Sequence, residues 1–463
     1  LLNFSLFMQY IYESETVDVE TLDQVKNILG KHRKDFVLKN VAGMGLENII
    51  SQFMLSMTFF DYDAKTILEF KNSDAFGQNI EIEQNIYNTL HNILGTNASC
   101  DYLKRYHSEK IFTIKDYQKA VPITEYKDYK KYLDLMIRTG KKDCLISGEP
   151  YGYAYEKSQG ETLCFPVAHD NIREMIELLD TEAPYCQNLL SLNFQPMKYE
   201  TNARNVPVGS MMGFAIRQYC YNDALPYSQS ELIRDRYTDK FALPEYLNTG
   251  GKLEHILFFA LMERGVDCIY VLDFNKTLDF FHNIFERKDE LLQAVYDGDK
   301  ECKFHDPKAV MCKGNADRAK ELYGITRLKS KKSLAKKLWP NLGLVRFIGT
   351  PENLNNIDKE FYEIFEGVTI KTTVSTVYSG LLGEPIYLND NNYIMNLDNL
   401  FLEFLECKHK GESTPVTVLS LKKGHRYKVL ITSKNGLYRC QIPLAIKILD
   451  LDHCYPIYSI EEE

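Results

Sequence analysis

Apolar residues recur at helical spacing in the first half of the chain. The segments with this pattern are residues 18–31, 47–60, 84–106, 125–138 and 171–179. In the third segment the apolar stripe consists of Ile86, Leu90, Ile93 and Leu94, which predicts an amphipathic helix. The helix over residues 125–138 is predicted to start at Thr124, because carboxylates occupy the turn that follows it. The first 80 residues are predicted to be helical and carry no motif that points to a function.

The second half of the chain alternates between helical and strand patterns. A helical stripe from Leu253 to Leu261 precedes a short apolar run at residues 267–274, which is typical of a buried strand. Strands are also predicted at 344–348 and 369–378, with a helix at 357–365 between them. Because helices alternate with strands, the pattern predicts a parallel sheet covered by helices.

Two local patterns complete the prediction. Segments 416–421 and 427–432 flank Lys422-Lys423-Gly424, and this arrangement predicts a β-hairpin. The basic run at residues 327–337 is expected to be a solvated helix face or an exposed loop, with phosphate binding as the less favoured alternative.

Composition restricts the class of protein. The chain has 463 residues, of which 44% are hydrophobic and 26% charged, so it can bury a large core. A net charge of −9 argues against nucleic-acid partners and basic membrane binding. The longest apolar stretch, residues 49–60, is too short to span a bilayer. Eleven cysteines without a Cys-x-x-Cys pair suit a reducing compartment, so we expect a cytoplasmic protein.

Generic catalytic motifs are absent from the sequence. It contains no Walker loop, dinucleotide fingerprint, nucleophile elbow or zinc-protease motif. Cys302, His305 and Cys312 offer three soft ligands, whereas structural zinc requires four. We therefore expect no metal site there, interpret the three as unrelated surface residues, and assign no catalytic residue.

Several segments together resemble one known family. They are residues 84–106, Phe112–Gly140, Leu338–Leu342 (Leu-Trp-Pro-Asn-Leu), Glu403-Phe404 and Gly436–Arg439 (Gly-Leu-Tyr-Arg). In this order they are similar to the auxin-responsive acyl-acid amido synthetases, which are hormone-conjugating ligases of plants with bacterial relatives. The resemblance covers roughly residues 80–450 and suggests a divergent, bacterial-type member.

The resemblance implies an α/β fold class and an adenylate-forming chemistry. We expect a helical extension over residues 1–80 and a large adenylate-forming domain over 81–445, with parallel or mixed sheets covered by helices. Residues 446–463 would begin a small C-terminal lid domain that is absent or truncated. Such ligases use ATP and magnesium to convert a carboxylic acid into an acyl-adenylate, which then reacts with an amine.

The first nucleotide motif of the family is altered in this chain. The family pattern, approximately S-S-G-T-S-G-G-E-P-K-L-M-P, aligns with Ala154–Pro166. Ser158 and Gly160 are retained, but Glu156 replaces a loop glycine and Leu163 replaces the lysine. A carboxylate about 4 Å from a phosphate is expected to cost about 1–4 kcal/mol, depending on solvent access.

The second and third motifs are also altered. The second falls on residues 378–383 and keeps its Tyr and Gly, but Leu382 occupies the position of the metal-binding Glu. The third keeps Tyr438 and Arg439, whereas Pro443-Leu444 replace its Gly-Asp. The residues that still match, and that the resemblance assigns to nucleotide binding, are Ser158, Gly160, Tyr378, Gly383, Tyr438 and Arg439.

Two functional hypotheses follow. The favoured one is a fold-retaining relative with lost or much weakened adenylation, which needs no cofactor and acts as a binding protein or the partner of another protein. The alternative is an active ligase with a rearranged ATP site, which conjugates a small carboxylic acid to an amine and uses Lys157 as a substitute cation beside the retained motif residues. Glu384 would replace the metal ligand only if its loop were rebuilt. An unrelated enzyme is the least favoured interpretation. Purely structural roles compete with both: Tyr378 and Tyr438 as packed aromatics, and Arg439 as the partner of a core carboxylate.

Overall fold

The computed structural model describes most of the chain after residue 74. The described ranges are 75–158, 161–182, 186–199, 206–221, 241–308, 310–328, 330–386, 391–407, 414–451 and 455–461. The helices predicted at 18–31 and 47–60 lie outside the described residues. Within these ranges, no helix has both the length and the apolar content needed to cross a bilayer.

Fourteen α-helices are found in the described ranges. In chain order they are α1 (Ala75–Thr96), α2 (Asp101–Lys104), α3 (Ile114–Ala120), α4 (Tyr126–Thr139), α5 (Arg173–Glu182), α6 (Met211–Tyr221), α7 (Glu245–Asn248), α8 (Leu253–Met262), α9 (Phe274–Glu286), α10 (Lys288–Asp297), α11 (Ala316–Thr326), α12 (Leu334–Leu338), α13 (Pro351–Asn355) and α14 (Lys359–Ile364). Short 3₁₀ segments occur at Ser108–Lys110, His169–Ile172 and Val418–Ser420.

The strands of the described ranges form two sheets. They are β1 (Gly152–Ser158), β2 (Glu161–Val167), β3 (Leu189–Leu192), β4 (Lys198–Tyr199), β5 (Pro207–Gly209), β6 (Cys268–Val271), β7 (Leu344–Gly349), β8 (Thr369–Thr376), β9 (Gly380–Pro385), β10 (Asn392–Met395), β11 (Phe401–Glu406), β12 (Arg426–Ser433), β13 (Leu437–Asp450) and β14 (Ile457–Glu461). The small sheet has the order β2-β1-β5-β4, and the large one β11-β12-β13-β14-β10-β9-β8-β7-β6-β3.

The predicted parallel sheet is confirmed for four neighbouring strands. β3, β6, β7 and β8 pair in parallel, with Leu189 opposite Cys268, Cys268 opposite Leu344, and Leu344 opposite Thr369. All residues of β6 and β7 are buried. Strands covered on both faces are apolar along their whole length, which explains the continuous apolar runs in the sequence. From β9 onward the large sheet is antiparallel, so it is mixed overall.

The predicted amphipathic helix is also confirmed. α1 buries Ile86, Leu90, Ile93 and Leu94 and packs against β11 and β12. Residues at i, i+4, i+7 and i+8 share one helix face, so this stripe makes the contact with the sheet. The helix that was predicted from Thr124 begins at Tyr126 and ends at Thr139.

The predicted hairpin around Lys422-Lys423-Gly424 is wrong in its first arm. Val418–Ser420 forms a 3₁₀ turn, and only Val416 makes a bridge, to Phe404. β12 instead pairs with β11 and β13, which lie before and after it in the chain. The sequence signal was ambiguous because a short apolar run does not specify its partner.

The expected boundary at residues 445/446 falls inside a strand. β13 continues without a break from Leu437 to Asp450, and β14 pairs with it over Ala445–Asp450. Residues 446–450 therefore belong to the large sheet.

The three candidate soft ligands are not equivalent surface residues. His305 is buried, and its Nδ1 lies 2.7 Å from Asp299 Oδ2; Cys302 is exposed and Cys312 half-buried. The interpretation as surface residues is thus wrong for His305. Within the described ranges, no group of three or more His, Cys, Asp or Glu side chains has metal-binding geometry.

The basic run at 327–337 contains α12, which buries Leu334 and Leu338. Lys331 and Lys332 form ion pairs with carboxylates at and after α14, at N–O distances of 2.7 and 2.8 Å. Residues 334–337 of the run thus belong to a short helix with buried apolar residues, whereas residues 330–333 form a loop and turn before it. The charges of Lys331 and Lys332 are neutralised locally.

Candidate functional site

A pocket of about 190 Å³ lies where segments of all three expected nucleotide motifs meet. It is lined by Glu156, Thr350, Pro351, Glu352, Thr376, Tyr378, Ile442, Pro443 and Leu444. None of these described lining residues is Lys, Arg or His. The pocket is therefore acidic on one part of its wall and apolar on another.

The first motif contributes Glu156, from the hairpin of β1 and β2. The two strands pair in regular antiparallel register, with Glu156 opposite Leu163 and Ser158 opposite Glu161. The positions expected to form a phosphate loop, up to Ser158, are therefore strand residues in this chain. A loop that wraps phosphates would need backbone N–H groups directed at the ligand.

The second motif contributes the turn between β8 and β9. The hydroxyl of Thr376 accepts hydrogen bonds from the backbone N–H groups of Tyr378 (3.2 Å) and Ser379 (3.1 Å), which fixes this turn. The Tyr378 ring then packs on Phe165 of β2, with ring centroids 5.0 Å apart. The turn thus connects the large sheet to the β1–β2 hairpin and places Tyr378 on the pocket wall.

Two further segments complete the wall. β7 ends at Gly349, and Thr350 caps α13 by accepting a hydrogen bond from Asn353 N–H at 3.3 Å. This brings the exposed Glu352 to the pocket rim. From β13 come Ile442 and Leu444, which are 1% and 2% exposed.

Glu156 contributes a carboxylate with a shifted pKa to the pocket wall. Its Oε2 accepts a hydrogen bond from Val377 N–H at 2.7 Å, while no donor within the described ranges reaches Oε1. Burial raises the pKa of Glu156 to about 7; the Val377 N–H opposes this rise and the nearby charge of Glu352 adds to it. The carboxyl group titrates near neutrality and, when ionised, lacks a cation among the described lining residues.

The remaining first-motif residues cannot be placed at this pocket. Ser158 and Lys157 lie in β1, but their side chains lie outside what the structure describes, as does Gly160. Their nucleotide-binding and cation roles stay predictions.

The retained residues of the third motif lie in the core. Arg439 is 4% exposed, and its guanidinium forms a double hydrogen bond with Glu403, at 2.8 and 3.0 Å. Its Nη1 also donates to the carbonyls of Gln118 (2.6 Å) and Val121 (2.8 Å). The guanidinium therefore ties β13 to β11 and to the end of α3, away from the pocket wall.

Tyr438 is likewise fully buried. Its hydroxyl donates to the carbonyl of Leu145 at 2.7 Å, and its ring stacks on Tyr102 with centroids 5.0 Å apart. Burial raises the pKa of Tyr438 well above its ordinary value. Of the residues assigned to nucleotide binding, the structure brings Tyr378 to the pocket and leaves Tyr438 and Arg439 in the core.

The other residues of the second motif lie in or next to β9 and pack there. Gly383 packs so closely on Tyr458 that a Cβ atom would overlap the Tyr458 hydroxyl. Leu382, at the position of the expected metal-binding Glu, is 1% exposed in the core. Glu384, the possible substitute, lies 2.6 Å from Arg346 Nη1, so its charge already has a partner.

Sequence reasoning did not select Thr350, Glu352 and Thr376 as site residues, and noted Glu156 only as a departure from a motif. The position of Thr350 and Glu352 after a predicted strand could have identified them from the sequence. They directly follow β7, and ligand sites in α/β sheets lie at the carboxyl ends of parallel strands.

Comparisons with known proteins agree with this architecture. The chain is similar to two proteins of Arabidopsis thaliana, the indole-3-acetic acid-amido synthetase GH3.4 (21% identity, 90% of this chain, 72% of the relative) and the indole-3-acetic acid-amido synthetase GH3.2 (20%, 90% and 79%). Its fold is similar to that of the AtGH3.15 acyl acid amido synthetase in complex with 2,4-DB, with a TM-score of 0.68 at 16% identity over 86% of this chain and 69% of the other. The predicted α/β fold class is confirmed.

Family models match most of the chain. Residues 75–369 match the GH3 family N-terminal domain, and residues 393–461 match the GH3 family central domain. The first match alone covers more than half of the 463 residues. The predicted resemblance to the acyl-acid amido synthetases is thereby confirmed, and the chain belongs to the GH3 family.

Proposed function

We propose that this GH3-family chain has lost, or retains only weakly, ATP-dependent adenylation, and that it acts as a binding protein. The observation that carries the proposal is the carboxylate of Glu156 at the meeting point of the three motif segments. The described residues of this pocket do not fit a triphosphate, because they offer two carboxylates and no cation.

The electrostatic argument can be given a magnitude. A phosphate that enters above pH 7 must either approach an ionised Glu156 or first protonate it. Protonation of a group with a pKa of about 7 costs about 1.4 kcal/mol at pH 8, and this corresponds to about tenfold in affinity. The negative charge of Glu352 adds to the penalty.

The changes in the second and third motifs also weaken nucleotide binding on this proposal. Leu382 is buried in β9, so it provides no oxygen ligand for magnesium, which binds oxygen donors. Leu444 lines the pocket with an apolar side chain and cannot hydrogen-bond a ribose hydroxyl. A lost hydrogen bond of this kind is worth about 1–3 kcal/mol.

Family membership favours a second candidate, an active ligase. Relatives at 20–21% identity are named indole-3-acetic acid-amido synthetases. On this alternative the chain would use ATP with magnesium and join a small carboxylic acid to an amine such as an amino acid. Lys157 would then supply the missing cation.

Acid-dependent exchange of labelled pyrophosphate into ATP separates the two candidates, because it reports acyl-adenylate formation whatever the amine. We expect no exchange above background with a panel of aromatic and aliphatic carboxylic acids, while an Arabidopsis relative assayed in parallel supplies the positive control. Exchange that depends on one of the acids would refute the proposal and establish the ligase.

A further inference from the structure

We propose that the pocket lined by Glu156, Glu352 and Tyr378 binds a small organic cation, of the primary alkylammonium class. This inference rests on the proposed function, because a pocket that holds a triphosphate would have no room for such a ligand.

The first argument is the unmatched hydrogen-bonding capacity of Glu156. Glu156 lines the pocket. Val377 N–H donates to its Oε2, whereas Oε1 receives no hydrogen bond from the described residues. A largely buried carboxylate without a counter-charge is unfavourable. An ammonium group carries three donors and a positive charge, so it supplies what this oxygen lacks.

The second argument is the rest of the wall. Tyr378 contributes an aromatic ring, and such rings attract cations. Ile442 and Leu444 contribute apolar surface from β13, which suits the hydrocarbon part of an amine. A bare metal ion would leave this surface without a partner.

The third argument concerns size and the competing metal ion. The pocket volume of about 190 Å³ equals about six water molecules, which matches an alkyl chain of about five carbons with its ammonium group. Calcium takes six to eight oxygen ligands and magnesium six. The described pocket wall contributes two carboxylates, and the described ranges contain no metal-binding cluster of three His, Cys, Asp or Glu side chains.

The test uses three probes of equal length: n-pentylammonium, 1-pentanol and pentanoate. Ligand-observed NMR titrations at pH 8 suit millimolar affinities. We expect saturable binding of pentylammonium, with 1-pentanol at least about tenfold weaker and no saturable binding of pentanoate. Between pH 8 and pH 6 the affinity for pentylammonium should fall about tenfold as Glu156 takes up its proton. Glu352 and Tyr378 are the other titratable groups on the described wall.

Variants locate the site. Glu156→Gln keeps an acceptor for Val377 N–H and should weaken pentylammonium binding about 10- to 100-fold. The matched control is Glu109→Gln, which makes the same change at an exposed residue outside the pocket and should leave the affinity unchanged. Unchanged melting profiles of the variants at pH 5 would show that both remain folded.

Several outcomes would overturn the inference. They are equal affinity for alcohol and ammonium, preference for pentanoate, displacement of the amine by calcium or magnesium alone, or wild-type affinity in Glu156→Gln. Absence of amine binding in a chain that also fails to bind ATP would overturn this inference alone. Displacement of the amine by magnesium-ATP would overturn the proposed function as well.

Discussion

Replacing Glu156 by Gln should stabilise the protein, and the gain should depend on pH. In the folded chain the pKa of Glu156 is raised to about 7 from an ordinary 4.5. Between these two values the folded state holds a proton that the unfolded state has released. The contribution of Glu156 to the free energy of unfolding therefore decreases as the pH rises from 4.5 to 7, and it stays at the lower value above pH 7. Gln has no charge to desolvate and keeps the acceptor for Val377 N–H.

The size of the gain follows from the same two pKa values. Their difference, at 1.36 kcal/mol for each pKa unit, gives about 3 kcal/mol at pH 8 and less than about 1 kcal/mol at pH 5. Unfolding entropy of roughly 2.1 cal/mol/K per residue over 463 residues converts about 3 kcal/mol into a rise in Tm of about 3 °C.

Differential scanning calorimetry of wild type and Glu156→Gln at pH 8 and pH 5 measures this directly. The matched control is Glu352→Gln, in the same pocket but exposed, for which a change within about 0.5 kcal/mol is expected. A variant that is destabilised at pH 8, or stabilised equally at both pH values, would refute the account of Glu156 as a largely buried carboxylate without a counter-charge on the described pocket wall.

Two further predictions concern motif residues that the structure places in the core. Arg439→Met should lower the free energy of unfolding, measured with denaturant, by about 3–5 kcal/mol, because it leaves the buried Glu403 without a counter-charge. Adding Glu403→Gln should recover part of this loss. Wild-type stability of Arg439→Met would contradict the core ion pair. Gly383→Ala should lower the free energy of unfolding by about 1–3 kcal/mol, because the new Cβ atom overlaps Tyr458. Adding Tyr458→Phe should partly restore stability. If Gly383→Ala melts like wild type, the close packing is absent.

Elements with strong local periodicity were predictable from the sequence. The stripe of Ile86, Leu90, Ile93 and Leu94 belongs to α1, and the apolar run containing Cys268–Val271 forms a buried parallel strand. In both cases the signal lies within one segment, because burial on a face or along a strand dictates the residue types there.

Features that depend on distant pairing could not be predicted. The hairpin prediction failed because β12 pairs with β11 and β13, whereas Val418–Ser420 forms a 3₁₀ turn. Arg439 meets Glu403, 36 residues earlier, only because β11, β12 and β13 lie side by side. Motif alignment identified Arg439 as a nucleotide residue, but an alignment carries no information about which way a side chain points.

The pocket was predictable only in part. Aligning three motifs identified the segments that meet there, and the structure places Glu156, Tyr378 and Leu444 on its wall. The burial of Glu156 and its hydrogen bond to Val377 depend on how the β1–β2 hairpin packs on the turn after β8. A sequence does not report desolvation of this kind, although it determines the charge.

The most direct test of the central claim is isothermal titration of the wild-type chain with ATP in excess magnesium at pH 8, where Glu156 is ionised. An Arabidopsis GH3 amido synthetase titrated under the same conditions serves as the positive control. We predict no saturable heat up to millimolar ATP for this chain. Saturable, magnesium-dependent binding in the micromolar range would contradict the account, because it would require a cation and a phosphate cradle that the described pocket residues do not provide.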